Sequence, residues 1–72
     1  MAVTVDARGL SCPQPVILTL NEIQTGNDSQ IIVLVDTDTS KENVTRAAVS
    51  KGCTIGDVSP DGGGYRILIQ RE

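Results

Sequence analysis

The sequence has no histidine, tryptophan or phenylalanine, and its only aromatic residue is Tyr65. Without histidine, the chain lacks the most common general base and a frequent metal ligand. Its two cysteines, Cys12 and Cys53, lie 41 positions apart and form no recognisable zinc motif. We therefore expect neither a bound metal nor a cofactor.

Basic charge is also scarce, since six lysines and arginines face nine acidic residues, which gives a net charge of −3. This balance and the lack of aromatic residues argue against nucleic-acid binding, which needs a basic stripe and commonly aromatic platforms. No apolar run is long enough to span a membrane, and no signal segment is visible. We expect a cytoplasmic protein with reduced thiols and no membrane partner.

With 72 residues, the chain has the length of one small domain, residues 1–72. Stretches that alternate in polarity or are rich in β-branched residues predict four strands, at residues 3–6, 31–35, 53–59 and 65–70. The glycine-rich residues 60–64 are a candidate phosphate loop, but no strand–loop–helix order surrounds them, so we predict a hairpin turn. A second turn is predicted at residues 27–29.

Two helices are predicted between these strands. The first runs from Pro13 to Thr25 and ends at Gly26. Its apolar residues follow helical spacing and should form one buried stripe: Val16, Ile17, Leu20 and Ile23. In so small a domain, truncating Leu20 or Ile23 to alanine should be strongly destabilising.

The second helix is predicted to begin near Thr39, which has capping-box spacing to Glu42. Val44, Ala47, Ala48 and Lys51 follow helical spacing, and Gly52 should end the helix. Asp36 and Asp38 precede it. These two residues are candidate metal ligands. However, two loop carboxylates without further ligands are more often solvated turn and capping residues.

The predicted order β-α-β-α-β-β indicates an α/β (α+β) two-layer sandwich, with a mixed four-stranded sheet and both helices on one face. The second strand is apolar on both sides, because Ile32 and Leu34 point away from their apolar neighbours at 31, 33 and 35. We therefore expect an exposed apolar sheet face, and such a patch often marks a partner or a second domain.

Cys12 stands directly before Pro13, and proline is favoured at the first position of a helix. This makes Pro13 the expected first helical residue and Cys12 the expected N-cap, with Pro15 in the first turn. Free N–H groups and the helix dipole would then stabilise a Cys12 thiolate, the reactive form of cysteine. Alternatively, Cys12 is an ordinary helix cap. Cys53 has no such context and is interpreted as structural.

The stretch Asp6-Ala7-Arg8-Gly9-Leu10-Ser11-Cys12-Pro13-Gln14-Pro15 resembles the signature of the TusA/SirA family of small sulfur carriers, Cys-Pro-x-Pro preceded by Asp-x-x-Gly-Leu. Residues 35–44 and the later Gly52 resemble the TusA-like N-terminal domain of YedF-type proteins. Ser11 and Gln14 depart from TusA proper, which usually has a basic and an acidic residue there. We therefore do not expect this chain to share TusA's own partners.

The resemblance implies that Cys12 carries sulfur, or selenium, as a persulfide, with Asp6, Arg8, Gly9, Pro13 and Pro15 in supporting roles. It implies a donor protein, such as a cysteine desulfurase or a rhodanese, and an acceptor protein. It also implies strand order 1-2-4-3 and, in YedF-type proteins, a further domain after this one. We expect the protein to be a monomer.

The sequence leaves two points open, the function of the chain and the role of Arg8. The alternative function is a non-catalytic binding or regulatory module that docks through the apolar sheet face. Arg8 either favours the Cys12 thiolate or is a solvated loop arginine.

Overall fold

The computed structural model describes residues 2–11, 13–26 and 29–71. The predicted β-α-β-α-β-β order is confirmed: β1 Ala2–Asp6, α1 Gln14–Thr25, β2 Gln30–Val35, α2 Asp38–Ser50, β3 Thr54–Asp61 and β4 Gly64–Gln70. Cys12 and two residues of the turn predicted at 27–29 lie outside the described residues. The observed bounds differ from the predicted ones by two residues at most, because the polarity pattern defines the middle of an element better than its ends.

The four strands form one mixed sheet in the order β1-β2-β4-β3. β1 pairs with β2 in parallel, while β4 is antiparallel to both β2 and β3. This order is the one that the family resemblance implied. It places β2 and β4, the two most apolar strands, at the centre.

The hydrophobic core lies between one face of the sheet and the two helices. Buried and half-buried residues alternate along β2, and Ile31, Val33 and Val35 are fully buried. Across the β2–β4 pairing, Ile67 and Ile69 continue the same face. Burying a side chain of this kind contributes roughly 1.5–3 kcal/mol, so these β-branched residues stabilise the sheet and its contact with the helices.

Helix α1 buries only part of the predicted stripe: Val16 and Ile23 pack against the core as expected, but Ile17 and Leu20 do not. Its buried residues are Pro15 and Thr19, whereas Ile17 is 42% exposed and Leu20 is only half-buried and lies outside the core cluster. The Thr19 hydroxyl donates to the Pro15 carbonyl oxygen at 2.9 Å, which satisfies its only polar group within the helix. A small polar side chain whose hydroxyl is hydrogen-bonded can therefore be buried in the core, although its polarity alone predicts an exposed position. The prediction that truncating Leu20 removes a core residue was wrong.

Helix α2 begins at Asp38, one residue earlier than predicted. Its N-cap is Thr37, whose hydroxyl oxygen accepts a hydrogen bond from the Ser40 N–H at 3.0 Å. The predicted capping box of Thr39 and Glu42 is therefore wrong. Thr37 has the extended backbone of an N-cap residue, while Thr39 is already helical.

The end of α2 is as predicted. Gly52 has φ +85°, and its N–H donates to the Val49 carbonyl at 3.0 Å. The N–H of Cys53 donates to the Ala48 carbonyl at 3.1 Å. These two bonds form a Schellman motif, which turns the chain into β3 and directs Cys53 into the core.

Helix α1 ends differently. The helix ends at Gly26 as predicted, but Gly26 is its C-cap residue with an extended rather than a left-handed backbone. The end of the helix is held instead by Arg71, whose guanidinium donates to the carbonyl oxygens of Ile23 at 2.6 Å and Glu22 at 3.0 Å. A cation at the C-terminal end of a helix also interacts favourably with the helix dipole.

The β3–β4 hairpin has a tighter turn than predicted. Asp61 pairs with Gly64, and Gly62 and Gly63 form a two-residue turn in which both residues have positive φ. Pro60 therefore belongs to β3 rather than to the turn. As expected, the glycines serve hairpin geometry, and no helix follows them as it would in a phosphate loop.

Candidate functional site

Three connections meet at one edge of the sheet. β1 and β2 are parallel, so the loop after β1 (residues 7–11, the β1–α1 loop) and the loop after β2 (residues 36–37, the β2–α2 loop) leave the same edge. Val35 pairs with Tyr65, which brings the start of β4 and the hairpin turn to this edge too. Ligand sites in open α/β sheets favour this position.

Asp6 and Arg8 form a fork at the start of the β1–α1 loop. The Arg8 guanidinium donates to both carboxylate oxygens of Asp6, each at 2.9 Å, and the Arg8 backbone N–H donates to Oδ1 at 3.1 Å. These bonds lower the pKa of Asp6 to about 2, the side-chain bond contributing most, and raise that of Arg8. Arg8 is thus paired with Asp6 while its side chain stays exposed, and its effect on Cys12, which lies outside the described residues, stays a prediction.

Gly9 connects the β1–α1 loop to the β2–α2 loop. Its φ of +78° lies in the left-handed region, where a residue with a Cβ is strained. In this conformation its N–H donates to Oδ2 of Asp36 at 2.8 Å. The motif residues Asp6 and Gly9 are therefore loop-forming residues. Asp36, assigned to a solvated turn on sequence grounds, has a tertiary partner that no local pattern signals.

The start of β4 packs directly against the β2–α2 loop. A Cβ added to Gly64 would lie 2.2 Å from the Val35 carbonyl oxygen and 2.8 Å from the Asp36 Cα, so no larger residue fits without a shift. Gly64, the third glycine of the run, lies in β4 rather than in the turn, and this close approach explains why it is a glycine.

The next residue, Tyr65, fixes the start of α2. Its hydroxyl donates to Oδ1 of Asp38, a bond that raises the pKa of Tyr65 above its ordinary value. The Lys41 ammonium lies over the Tyr65 ring, 4.5 Å from its centroid. Asp38 therefore connects the start of α2 to β4. Within the part of the chain that is described, no group of three or more metal-ligating side chains comes together.

The N-terminal end of α1 offers fewer N–H donors than predicted. The N-cap is Pro13, not Cys12, and the helix begins at Gln14. Pro13 and Pro15 have no N–H, and the Gln14 N–H donates to the Ser11 carbonyl at 2.9 Å. Of positions 13–16, at most the N–H of Val16 is left for an anion. The stabilisation of a thiolate by this helix therefore rests mainly on its dipole.

The most exposed large apolar side chains of the described residues are not on the open sheet face. They are Leu10 at 38%, Ile17 at 42%, Val49 at 57% and Val58 at 38%. The open face carries Ile32, Leu34 and Leu68, all of which are only half-buried. The apolar sheet face thus exists but is less exposed than predicted. Leu10 and Ile17 instead flank the Cys-Pro-x-Pro motif, one in the loop before it and one in the helix after it.

Cys53 lies in the core cluster and is only 7% exposed, in agreement with its interpretation as a structural residue. Elsewhere, a shallow depression of about 430 Å³ on α2 is lined by Glu42, Thr45, Arg46 and Val49, none of which belongs to the motif. Neither helix of the described chain is long and apolar enough to cross a membrane.

The comparisons with known proteins agree with this arrangement. The family model described as sulfurtransferase TusA matches residues 3–71. The crystal structure of a SirA-like protein from Desulfitobacterium hafniense superposes with a TM-score of 0.82 at 30% identity, and the match covers 97% of this chain and 96% of that one. No curated protein matches. The chain therefore belongs to the TusA family of sulfur carriers.

Proposed function

We propose that Cys12 is the residue that carries sulfur, as a persulfide, between a donor and an acceptor protein. The observation that carries the proposal is the burial of Cys53. Of the two cysteines, Cys53 lies in the core, and a buried thiol is a poor partner in exchange reactions. Membership in a sulfur-carrier family requires a reactive sulfur. The resemblance of residues 6–15 to the family signature assigns that role to Cys12.

The transfer itself is an exchange at sulfur. The Cys12 thiolate attacks the outer, sulfane sulfur of a donor persulfide, so that one S–S bond forms as the donor S–S bond breaks. The products are Cys12 persulfide and the donor thiolate, and the proton on the sulfane sulfur moves with it. The acceptor then removes the same sulfur and regenerates the Cys12 thiolate. The step needs no metal, external oxidant or general base.

The surroundings of the motif suit a carrier that meets two partners in turn. Leu10 and Ile17 expose apolar surface on either side of the motif, which a docking protein can cover. We propose a donor of the cysteine desulfurase or rhodanese class, and a reducing compartment such as the cytoplasm, where thiols persist. The same exchange accommodates selenium in place of sulfur. The resemblance to YedF-type proteins makes a second domain a further candidate partner.

Intact mass spectrometry tests the assignment of Cys12. After incubation with inorganic polysulfide, the wild type should gain one sulfur atom, and a thiol reductant should remove it. Cys12→Ser should lose the adduct, while Cys53→Ser, the matched control, should keep it. Modification confined to Cys53, or an unmodified wild type, would refute the proposal.

A further inference from the structure

We propose that Asp36 is a positioning residue for Cys12 and acts through the N–H of Gly9. The inference rests on the proposed function of Cys12. Asp36 follows β2, 27 positions after Gly9, and its Oδ2 accepts the Gly9 N–H at 2.8 Å. Gly9 lies three residues before Cys12, so the bond restrains the segment that leads to the sulfur. We call this bond the latch.

The latch is the last tertiary hydrogen bond before Cys12 among the described residues. At the start of the loop, the Ala7 N–H donates to the Leu34 carbonyl at 2.9 Å and continues the pairing of β1 with β2. The Asp6–Arg8 fork is local to the loop, and so is the bond from the Leu10 N–H to the Ala7 carbonyl at 3.4 Å. Beyond Ala7, the Gly9 N–H makes the one hydrogen bond from this loop to an element distant in the chain among the described residues, and the Arg8 charge also interacts with Asp36 and Asp61.

Asp36 is itself held in place. It follows directly on Val35, the last residue of β2 and fully buried, and the close approach of Gly64 fixes its backbone from the β4 side. The restraint thus runs from the rigid centre of the sheet, through Asp36, to the loop before Cys12. A carboxylate accepting from a backbone N–H is among the stronger neutral-donor hydrogen bonds, so its loss should measurably loosen the loop.

Losing the latch should reduce the fraction of molecules whose Cys12 segment is in its competent conformation, and the rate of sulfur acceptance falls with that fraction. The charge of Asp36 acts in the opposite direction, because a nearby carboxylate disfavours a thiolate. Two substitutions separate these effects. Asp36→Asn removes the charge but keeps an oxygen acceptor for Gly9, whereas Asp36→Ala removes both.

The experiment compares the wild type, Asp36→Asn, Asp36→Ala and a control, Asp57→Ala, which removes an exposed carboxylate from β3. Amide hydrogen exchange by NMR reports the latch at Gly9, and mass spectrometry reports the rate at which Cys12 gains sulfur from inorganic polysulfide. In Asp36→Ala, Gly9 should lose protection and sulfur acceptance should be about three- to tenfold slower than in Asp36→Asn. Asp57→Ala should match the wild type, and Val33 in the core should stay protected throughout.

Equal rates of sulfur acceptance in Asp36→Ala and Asp36→Asn would overturn the proposal, as would a Gly9 amide that stays protected in Asp36→Ala. A merely structural role would lower the free energy of unfolding in Asp36→Ala but would leave the folded protein's rate of sulfur acceptance equal to that of Asp36→Asn. If the wild type itself gains no sulfur at Cys12, the proposed function fails. The exchange at Gly9 then still decides whether the latch exists, so the two failures are distinguishable.

Discussion

The two cysteines of this protein stand beside helix ends of opposite polarity. Cys53 follows the C-terminal end of α2, where its N–H donates to the Ala48 carbonyl and its side chain enters the core. Cys12 precedes Pro13, the N-cap of α1. The N-terminal end of a helix carries partial positive charge and favours a thiolate, whereas the C-terminal end carries partial negative charge.

The comparison indicates that the backbone structure beside a cysteine influences whether its side chain is buried. The Schellman motif after α2 uses the backbone of Cys53 and commits its side chain to packing. At α1 the two prolines remove N–H donors instead, and the preceding loop is held by the fork at Asp6 and by the latch at Gly9. Cys53 therefore belongs to the fold, and Cys12 is the cysteine to which we assign the sulfur chemistry in our proposal.

The largest effect should appear in thiol alkylation under native conditions. Iodoacetamide should modify Cys12 at least about a thousandfold faster than Cys53, because Cys53 becomes accessible only when the core opens, and a small domain opens at a cost of about 5 kcal/mol or more. Peptide mapping by mass spectrometry gives both rates from one sample. In concentrated urea the two rates should converge. Comparable alkylation rates of Cys12 and Cys53 in the native state would contradict the proposed difference in accessibility between the two cysteines.

A pair of matched substitutions tests packing around each site. Ile67→Ala removes a fully buried side chain from the cluster that contains Cys53 and should cost about 2–5 kcal/mol. Ile17→Ala, in the exposed surface beside the motif, should change stability by about 0.5 kcal/mol or less. Urea denaturation gives both values. If the loss for Ile17→Ala approaches that for Ile67→Ala, the described face of α1 is wrong.

The smallest expected effect is electrostatic and concerns the Asp6–Arg8 fork in the loop before Cys12. Because its bonds to Arg8 lower the pKa of Asp6 to about 2, the fork stabilises the folded state fully above the ordinary value of 3.8, and this contribution is lost as the pH falls towards 2. The pair is exposed, so its contribution at neutral pH is small. In Arg8→Ala, the titration midpoint of Asp6, followed by NMR, should rise towards the ordinary value.

Arg66→Ala, which removes an exposed arginine from β4, should leave the Asp6 midpoint unchanged. The amide signals of Gly52 and Cys53 should stay constant over the same pH range, because backbone bonds alone form that turn. If the titration midpoint of Asp6 is the same in Arg8→Ala as in the wild type, the fork does not form in solution.

Much of the architecture was predictable because periodicity and turn chemistry are local. The β-branched run of β2 predicted a central strand, Gly52 predicted the end of α2, and the Gly62–Gly63 turn followed from its composition. The ends of elements were less predictable. Neighbouring residues such as Thr37 and Thr39 are equally good caps, and only the backbone conformation distinguishes them.

The amino-acid sequence by itself determined the β-α-β-α-β-β order, the apolar centre of the sheet and the motif at Cys12, since each depends on residues close together in the chain. Tertiary structure alone decided that Thr19 rather than Leu20 is buried on α1, because Thr19 satisfies its hydroxyl within the helix. It alone joined Asp36 to Gly9, Tyr65 to Asp38 and Arg71 to the end of α1. Those contacts span 27 to 48 positions, and hydrogen bonds over such distances depend on strand order and register, which no local pattern encodes.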